Sequence, residues 1–300
     1  MLELLVDLAP IFFYFALGIG LKKFGLADRI HGDFILRLVF FVTLPLLILT
    51  TIPGIPLSVD KAMLPLSNIM VSLLAMAAMF LLLKRLPLER GTQGTLLIAA
   101  MTPNNTYMFP FILAVYGANG FGDAILFDFG NALLVSTFTY GFCFRFSEQA
   151  SIRSGALQRI LKSPLVWALC LAVLLSISGN ALPFYVQDMI RPLGNMTSPL
   201  ILIALGIFFS LRLQHIKLLA LILGMRMLLG LCLGWLVAGL LGLQGLSKLI
   251  VILCSAAPVG FSVLTFSSMA RLDTELASSA VSLSILFGLL WVPFLILIMG

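Results

Sequence analysis

Charged residues are scarce in this 300-residue chain, at 10% against 61% for apolar residues. A surface of that composition could not stay in water, which excludes a soluble globular protein. The two histidines and four cysteines show no metal-ligand spacing, so nothing indicates a metal centre. Walker, HExxH and GxSxG motifs are also absent. The sequence therefore predicts neither an enzyme nor an ATP-driven pump, and it predicts no cofactor.

The chain consists instead of long apolar runs, bounded by charges or by Gly and Pro clusters. A helix needs about 20 apolar residues to cross a membrane. Ten such runs occur, at about 5–22, 34–52, 63–83, 94–117, 122–145, 162–179, 192–211, 217–240, 246–270 and 275–298. The sequence thus predicts an all-α polytopic membrane protein with ten transmembrane helices that contact lipid.

The net charge of +6 indicates membrane topology rather than nucleic-acid binding, because the Lys and Arg residues are distributed as the positive-inside rule predicts. If the N-terminus is outside, fourteen of the eighteen Lys and Arg residues fall on the inner side. The outer side holds Lys61, Arg191 and Lys248, and Arg226 lies within a span. We therefore expect both termini to face outward.

The two halves of the chain are weakly similar to each other. A shift of 154 or 155 positions aligns four pairs of residues: Pro10 with Pro164, Thr43 with Thr197, Pro45 with Pro199, and Pro103 with Pro258. Because each half holds five predicted spans, an odd number, the second half must enter the membrane from the opposite side. The sequence predicts two inverted five-helix repeats, 1–146 and 162–300, joined by a cytoplasmic linker at 147–161.

Spans four and nine are interrupted at equivalent places, by "TPNNTYMFP" and by "SAAPVGFSVLTFSS". A broken helix is tolerated in a membrane only where it is packed in protein or lines a polar cavity. Half-helix ends facing each other near the midplane would bind an anion with backbone and side-chain groups. The predicted substrate-binding residues are Pro103, Asn104, Asn105, Thr106, Tyr107, Pro258, Gly260, Ser262 and Thr265. The alternative is a pair of proline kinks whose polar groups are satisfied by neighbouring helices.

Three more polar residues lie at membrane depth. Asp128 and Asn131 are three residues apart, hence on one helix face, where the acid could couple transport to protons or hydrogen-bond for packing alone. Arg226 could neutralise an anionic substrate or pair with Asp128. Alternatively, its side chain snorkels to the inner surface.

Two segments, "TPNNTYMFPFILAVYGANGFGDAILFDFGNALLV" and "SAAPVGFSVLTFSSMARLDTELASSAVSLS", resemble the hallmark regions of the auxin efflux carrier family. Its bacterial members include permeases for malate and malonate. The resemblance implies crossing broken helices 4 and 9, the architecture of the related bile-acid symporters, and a place in the bacterial inner membrane. Many members carry an asparagine after the second proline, where this chain has Val259, Gly260 and Phe261. We therefore expect Asn104 and Asn105 to carry most of the side-chain recognition.

The family resemblance also implies a function. We expect an alternating-access carrier of small organic anions such as carboxylates, coupled to protons through Asp128 or working as a uniporter. The resemblance further implies a homodimer. An anion channel of the same fold and a membrane ligand sensor are the alternatives.

Overall fold

The computed structural model describes residues 2–54, 59–146, 163–209 and 215–299. Within these ranges every regular element is a helix, and the β contact found there is an isolated bridge between Pro103 and Val259. The helices in order are α1 (Leu2–Lys23), α2 (Arg29–Thr51), α3 (Val59–Leu83), α4 (Arg90–Met101), α5 (Asn105–Cys143), α6 (Pro164–Ile177), α7 (Phe184–Phe208), α8 (Ile216–Leu240), α9 (Gly245–Ser255), α10 (Ser262–Met269) and α11 (Thr274–Met299). The predicted linker 147–161 lies outside the described residues.

Six of the described helices are long and apolar enough to cross a membrane: α2, α3, α5, α7, α8 and α11. The helices α6 and α9 are apolar but shorter. The prediction of an all-helical, multi-pass membrane protein is therefore confirmed at this level. Single π-helical turns interrupt three of the long helices, at Val39–Thr43 in α2, Val135–Thr139 in α5 and Gly224–Leu228 in α8.

The helix α5 folds back on itself. Its 39 residues would extend about 58 Å if straight, nearly twice the roughly 30 Å of a bilayer core. The backbone of Gly117 leaves the helical region, with φ 60° and ψ −157°. As a result, the side chains of Asn105 and Asp128 are hydrogen-bonded at 2.8 Å, although a straight helix would separate them by about 35 Å. This reversal falls between the predicted spans 94–117 and 122–145.

The described chain divides into two compact units, each with helices from both predicted repeats. The first consists of Met1–Lys61, Phe109–Ile125 and Leu161–Phe209. In it, α1 packs on the second part of α7 through Gly18 and Gly206. A Cβ on Gly18 would lie 2.2 Å from the carbonyl oxygen of Ile203, and a Cβ on Gly206 would lie 2.2 Å from that of Phe15. Small residues let membrane helices approach this closely.

The second unit consists of Ala62–Met108, Leu126–Ile160 and Ser210–Gly300. Here too, glycines bring helix backbones together. A Cβ on Gly230 of α8 would lie 2.2 Å from the carbonyl oxygen of Ser255, at the end of α9. A Cβ on Gly130 of α5 would lie 2.1 Å from the carbonyl oxygen of Pro65 in α3. This unit contains every residue that the sequence predicts for substrate binding, coupling or charge pairing.

Candidate functional site

The two helix breaks pair with each other. One separates α4 from α5 and the other separates α9 from α10. The backbone N–H of Asn104 donates to the carbonyl oxygen of Pro258 at 2.8 Å, and that of Gly260 donates to Thr102 at 2.9 Å. These bonds flank the antiparallel bridge between Pro103 and Val259. Each break thus supplies partners for backbone groups that the other leaves without a helical bond.

Gly260 and Gly288 allow this close pairing. A Cβ on Gly260 would lie 3.0 Å from the carbonyl oxygen of Pro103, so a larger residue would push the breaks apart. A Cβ on Gly288 in α11 would lie 2.8 Å from the Cγ atom of Pro258 and 3.1 Å from the Tyr107 hydroxyl oxygen. Tyr107 is fully buried, and its hydroxyl donates to the carbonyl oxygen of Ile285 at 3.4 Å.

Asn104 caps the N-terminus of α5 and keeps a free donor. Its Oδ1 atom accepts from the backbone N–H of Tyr107 at 3.1 Å, a regular N-cap bond. Its side chain is 4% exposed, and its Nδ2 atom has no hydrogen-bond partner among the described residues. A buried amide without a partner is costly. It therefore offers an N–H group to an acceptor that enters the site.

Asn105, Asp128 and Asn131 form one hydrogen-bonded cluster. The Oδ1 atom of Asp128 accepts from Asn105 Nδ2 at 2.8 Å and from Asn131 Nδ2 at 2.9 Å. Asn131 and Asp128 thus share a helix face, as their spacing indicates. The Oδ1 atom of Asn105 is buried without a partner among the described residues. The cluster is compatible with both interpretations of Asp128, as a proton acceptor and as a packing residue.

Three predicted residues of the breaks lie farther toward the surface. Thr106 and Ser262 are half-buried, and Thr265 is exposed. They share the two helix starts with the buried residues, since Thr106 is in the first turn of α5 and the other two are in α10.

Arg226 lies in the π-helical turn of α8 and is fully buried. Of the two alternatives for Arg226, snorkelling is excluded, because its guanidinium does not reach the protein surface. Among the ion pairs of the described residues there is none between Arg226 and Asp128, so the pairing considered from the sequence is also not seen. All three guanidinium nitrogens lack a hydrogen-bond partner in the described ranges.

The surroundings of Arg226 connect it to the second break. A Cβ on Gly230 would lie 3.2 Å from its Nη1 atom and 2.2 Å from the carbonyl oxygen of Ser255, the last residue of α9. The side-chain oxygen of Ser255 also lacks a described partner. The negative end of the α9 dipole gives the guanidinium partial compensation.

Sequence reasoning missed two features. Ser284 of α11 accepts the backbone N–H of Val259 at 3.0 Å and donates to the carbonyl oxygen of Val281 at 2.9 Å. With Gly288 four residues later it forms a small-residue face, a pattern that the sequence contains. In the first unit, Lys61 lies 3.7 Å from Asp123, whose side chain is 1% exposed. The sequence pointed to this pair only in that Lys61 and Asp123 both lie at the predicted outer ends of spans.

Paired breaks in membrane helices, with buried polar groups beside them, are the arrangement in which transporters hold their solutes. Fold and site together thus define a membrane transport protein. The chain matches the model of a family described as membrane transport protein over residues 4–296, and it belongs to this family. The predicted resemblance to the auxin efflux carriers is thereby confirmed.

Two curated relatives cover nearly the whole chain. An uncharacterized transporter of Methanothermobacter thermautotrophicus is 26% identical over 287 residues, which is 92% of each protein. A second uncharacterized transporter, from Methanocaldococcus jannaschii, is 24% identical over 282 residues, or 90% of each. The chain is similar to both along its length, so the likeness is not confined to the breaks.

Proposed function

We propose that this protein is a secondary-active carrier of small organic anions such as carboxylates, and that it works by alternating access. The observation that carries the proposal is the buried Nδ2 group of Asn104, which has no described partner and sits beside the paired breaks. A carboxylate oxygen would satisfy this donor. Two other predicted residues, Pro258 and Gly260, hold the break in place through backbone bonds.

Arg226 of the second unit favours an anion over a cation or a neutral solute, because the other charge of the predicted site, Asp128, already accepts two amide N–H groups. Arg226 is fully buried, and its nitrogens lack hydrogen-bond partners among the described residues. An isolated charge in an apolar interior is strongly unfavourable unless an opposite charge compensates it. A substrate carboxylate would supply that charge during transport.

Asp128 is the group that we propose for proton coupling. As a carboxylate it accepts two amide N–H groups through one oxygen, one from Asn105 and one from Asn131. Protonation would weaken both bonds, because charge-assisted hydrogen bonds are the stronger kind. Asn105 would then be released next to the substrate donor Asn104. Proton binding would in this way change the polar groups available to the anion.

The proposal includes an arrangement in the membrane. The chain would cross the bacterial inner membrane ten times, as inverted repeats 1–146 and 162–300 with both termini outside, and would form a homodimer. The paired breaks between α4 and α5 and between α9 and α10 support this arrangement, since inverted repeats bring equivalent broken helices together.

Counterflow in proteoliposomes tests the proposal. Vesicles preloaded with unlabelled malonate, malate, acetate or succinate would take up the same labelled anion with saturating kinetics. Asn104→Ala with Asn105→Ala should lower that uptake at least about tenfold, the effect of losing one good hydrogen bond to a charged ligand. Asn68→Ala is the matched control, since it removes another buried amide of the same unit.

Each alternative predicts a different result. A channel would show anion conductance that does not saturate and no counterflow. A sensor would bind the anion without moving it. The assigned site would be contradicted if the double asparagine variant took up anions as well as the unsubstituted protein does. It would also be contradicted if Asn68→Ala lowered uptake as much as the double variant does.

A further inference from the structure

A cavity of about 340 Å³ with both polar and apolar residues in its lining lies within the first compact unit. Three elements surround it: the end of α2, the part of α5 on both sides of Gly117, and the first part of α7. Its lining residues are Leu47, Thr50, Thr51, Leu113, Ala118, Asn119, Arg191 and Asn195. A guanidinium, two amides and two hydroxyls thus line it, and none of these residues is acidic.

The reversal at Gly117 forms one wall of this cavity. Its φ of 60° with ψ of −157° is a conformation that residues with a side chain rarely adopt. A Cβ at this position would meet no atom within 4 Å, so glycine is required for the backbone conformation rather than for space. The reversal places Ala118 and Asn119 at the cavity instead of continuing the helix of Leu113.

Arg191 is available to a ligand. It is exposed, and it forms no ion pair among those found in the described ranges. Its one described hydrogen bond, to the side chain of Gln187, is long at 3.4 Å. A guanidinium presents a planar fork of N–H groups that matches the two oxygens of a carboxylate.

The other polar groups extend the site beyond one carboxylate. The Thr50 hydroxyl donates to the carbonyl oxygens of Leu46 and Leu47 at 3.1 Å, which leaves Thr51, Asn119 and Asn195 as donors. At roughly 30 Å³ per water, the cavity would hold about ten waters, or a ligand of similar size. A dicarboxylate of three or four carbons fits this volume and these donors.

We propose that this cavity is an outer binding site for small carboxylates, anchored by Arg191. The positive-inside count places Thr51, Asn119 and Arg191 at outer span ends, so the site would bind the anion from outside. The proposal rests on the proposed function for its substrate class. The same guanidinium chemistry would also accept the phosphate of an anionic lipid, and the experiment distinguishes the two sources.

The test is malonate binding to the Asn104→Ala, Asn105→Ala protein in nanodiscs of phosphatidylcholine, followed by thermal unfolding. This background removes both asparagine side chains of the first break, to which the proposed function assigns most of the side-chain recognition. We expect malonate still to stabilise the protein. Arg191→Gln should raise the half-saturating malonate concentration about tenfold, as expected for the loss of a hydrogen bond between charged groups. Lys248→Gln is the matched control, because it removes another outer positive charge from the other unit.

Arg191→Lys separates contact from simple attraction. If malonate contacts the planar guanidinium, Arg191→Lys should bind malonate more weakly than the protein that keeps Arg191. If the charge alone attracts malonate, the two proteins should bind it equally, and binding should be lost at 1 M salt, where the Debye length is about 3 Å. Equal binding in Arg191→Gln and Lys248→Gln would overturn the proposal. Dependence on added anionic lipid instead of malonate would also overturn it.

Failure of this site and failure of the proposed function give different results. If the asparagine variants abolish counterflow but Arg191→Gln leaves binding and the outer half-saturating concentration unchanged, the carrier stands and the outer site does not. If no anion is transported and malonate binding still depends on Arg191, the outer site stands without the carrier.

Discussion

Replacing Gly18 by alanine should destabilise the first compact unit. The added methyl group would lie 2.2 Å from the carbonyl oxygen of Ile203 and 3.0 Å from the Cα atom of Gly206. Optimal contacts between non-bonded atoms lie at about 3.5–4.0 Å, so α1 and α7 would have to separate by more than about 1 Å. Overpacking of this kind costs about 1–3 kcal/mol.

Gly20→Ala is the matched control on the same helix. A Cβ at Gly20 would meet nothing within 4 Å. Alanine there should be neutral or should stabilise α1 by up to about 1 kcal/mol, the difference in helix propensity. The two variants should therefore differ by about 1–4 kcal/mol, which corresponds to a Tm difference of roughly 2–15 °C.

Thermal unfolding in detergent, followed by intrinsic fluorescence, measures this difference. Gly206→Ala should resemble Gly18→Ala, since its methyl group would lie 2.2 Å from the carbonyl oxygen of Phe15. The double variant should cost less than the sum of the two, because one helix displacement relieves both clashes. If Gly18→Ala unfolds at the same temperature as Gly20→Ala, the backbone contact between α1 and α7 is not as described.

Two further predictions concern the second unit. Asp128→Asn keeps an oxygen that both asparagines can contact but loses the titratable charge, so uptake should persist and should no longer respond to a pH gradient. Asp128→Leu loses both the oxygen and the charge and should abolish uptake. Uptake measured after a pH jump tests both variants. Ser284→Ala leaves the backbone N–H of Val259 without its partner and should cost about 1–3 kcal/mol in thermal unfolding, while Ser282→Ala on the same helix should cost less. A pH-dependent Asp128→Asn, or equal Tm values for the two serine variants, would contradict these expectations.

Apolar runs and their interruptions were predictable because they are local properties. A segment must be apolar to lie in lipid. A proline removes a backbone hydrogen bond; Pro65 and Pro293 do so inside continuous helices, whereas Pro103 and Pro258, with polar residues or glycine near them, lie where a helix ends. Pro103 and Pro258 therefore marked both breaks. The three-residue spacing of Asp128 and Asn131 likewise fixed their common face.

Contacts that depend on a chain reversal or on a partner helix could not be predicted. Asn105 reaches Asp128 because the chain reverses at Gly117, and the sequence shows a glycine there but not its backbone angles. The position of Arg226 stayed undecided for a related reason. An arginine within an apolar run either snorkels or is enclosed, and the packing of neighbouring helices decides which.

The mutual pairing of the breaks has a consequence for biosynthesis. Asn104 and Thr102 find their backbone partners in Pro258 and Gly260, which leave the ribosome much later. Chains emerge N-terminus first, so the first break enters the membrane while its partner has not yet been made. Until then its unpaired backbone groups need other hydrogen-bond partners, such as water. The backbone hydrogen bonds that join the first break to the second thus form only after α9 and the start of α10 have been made.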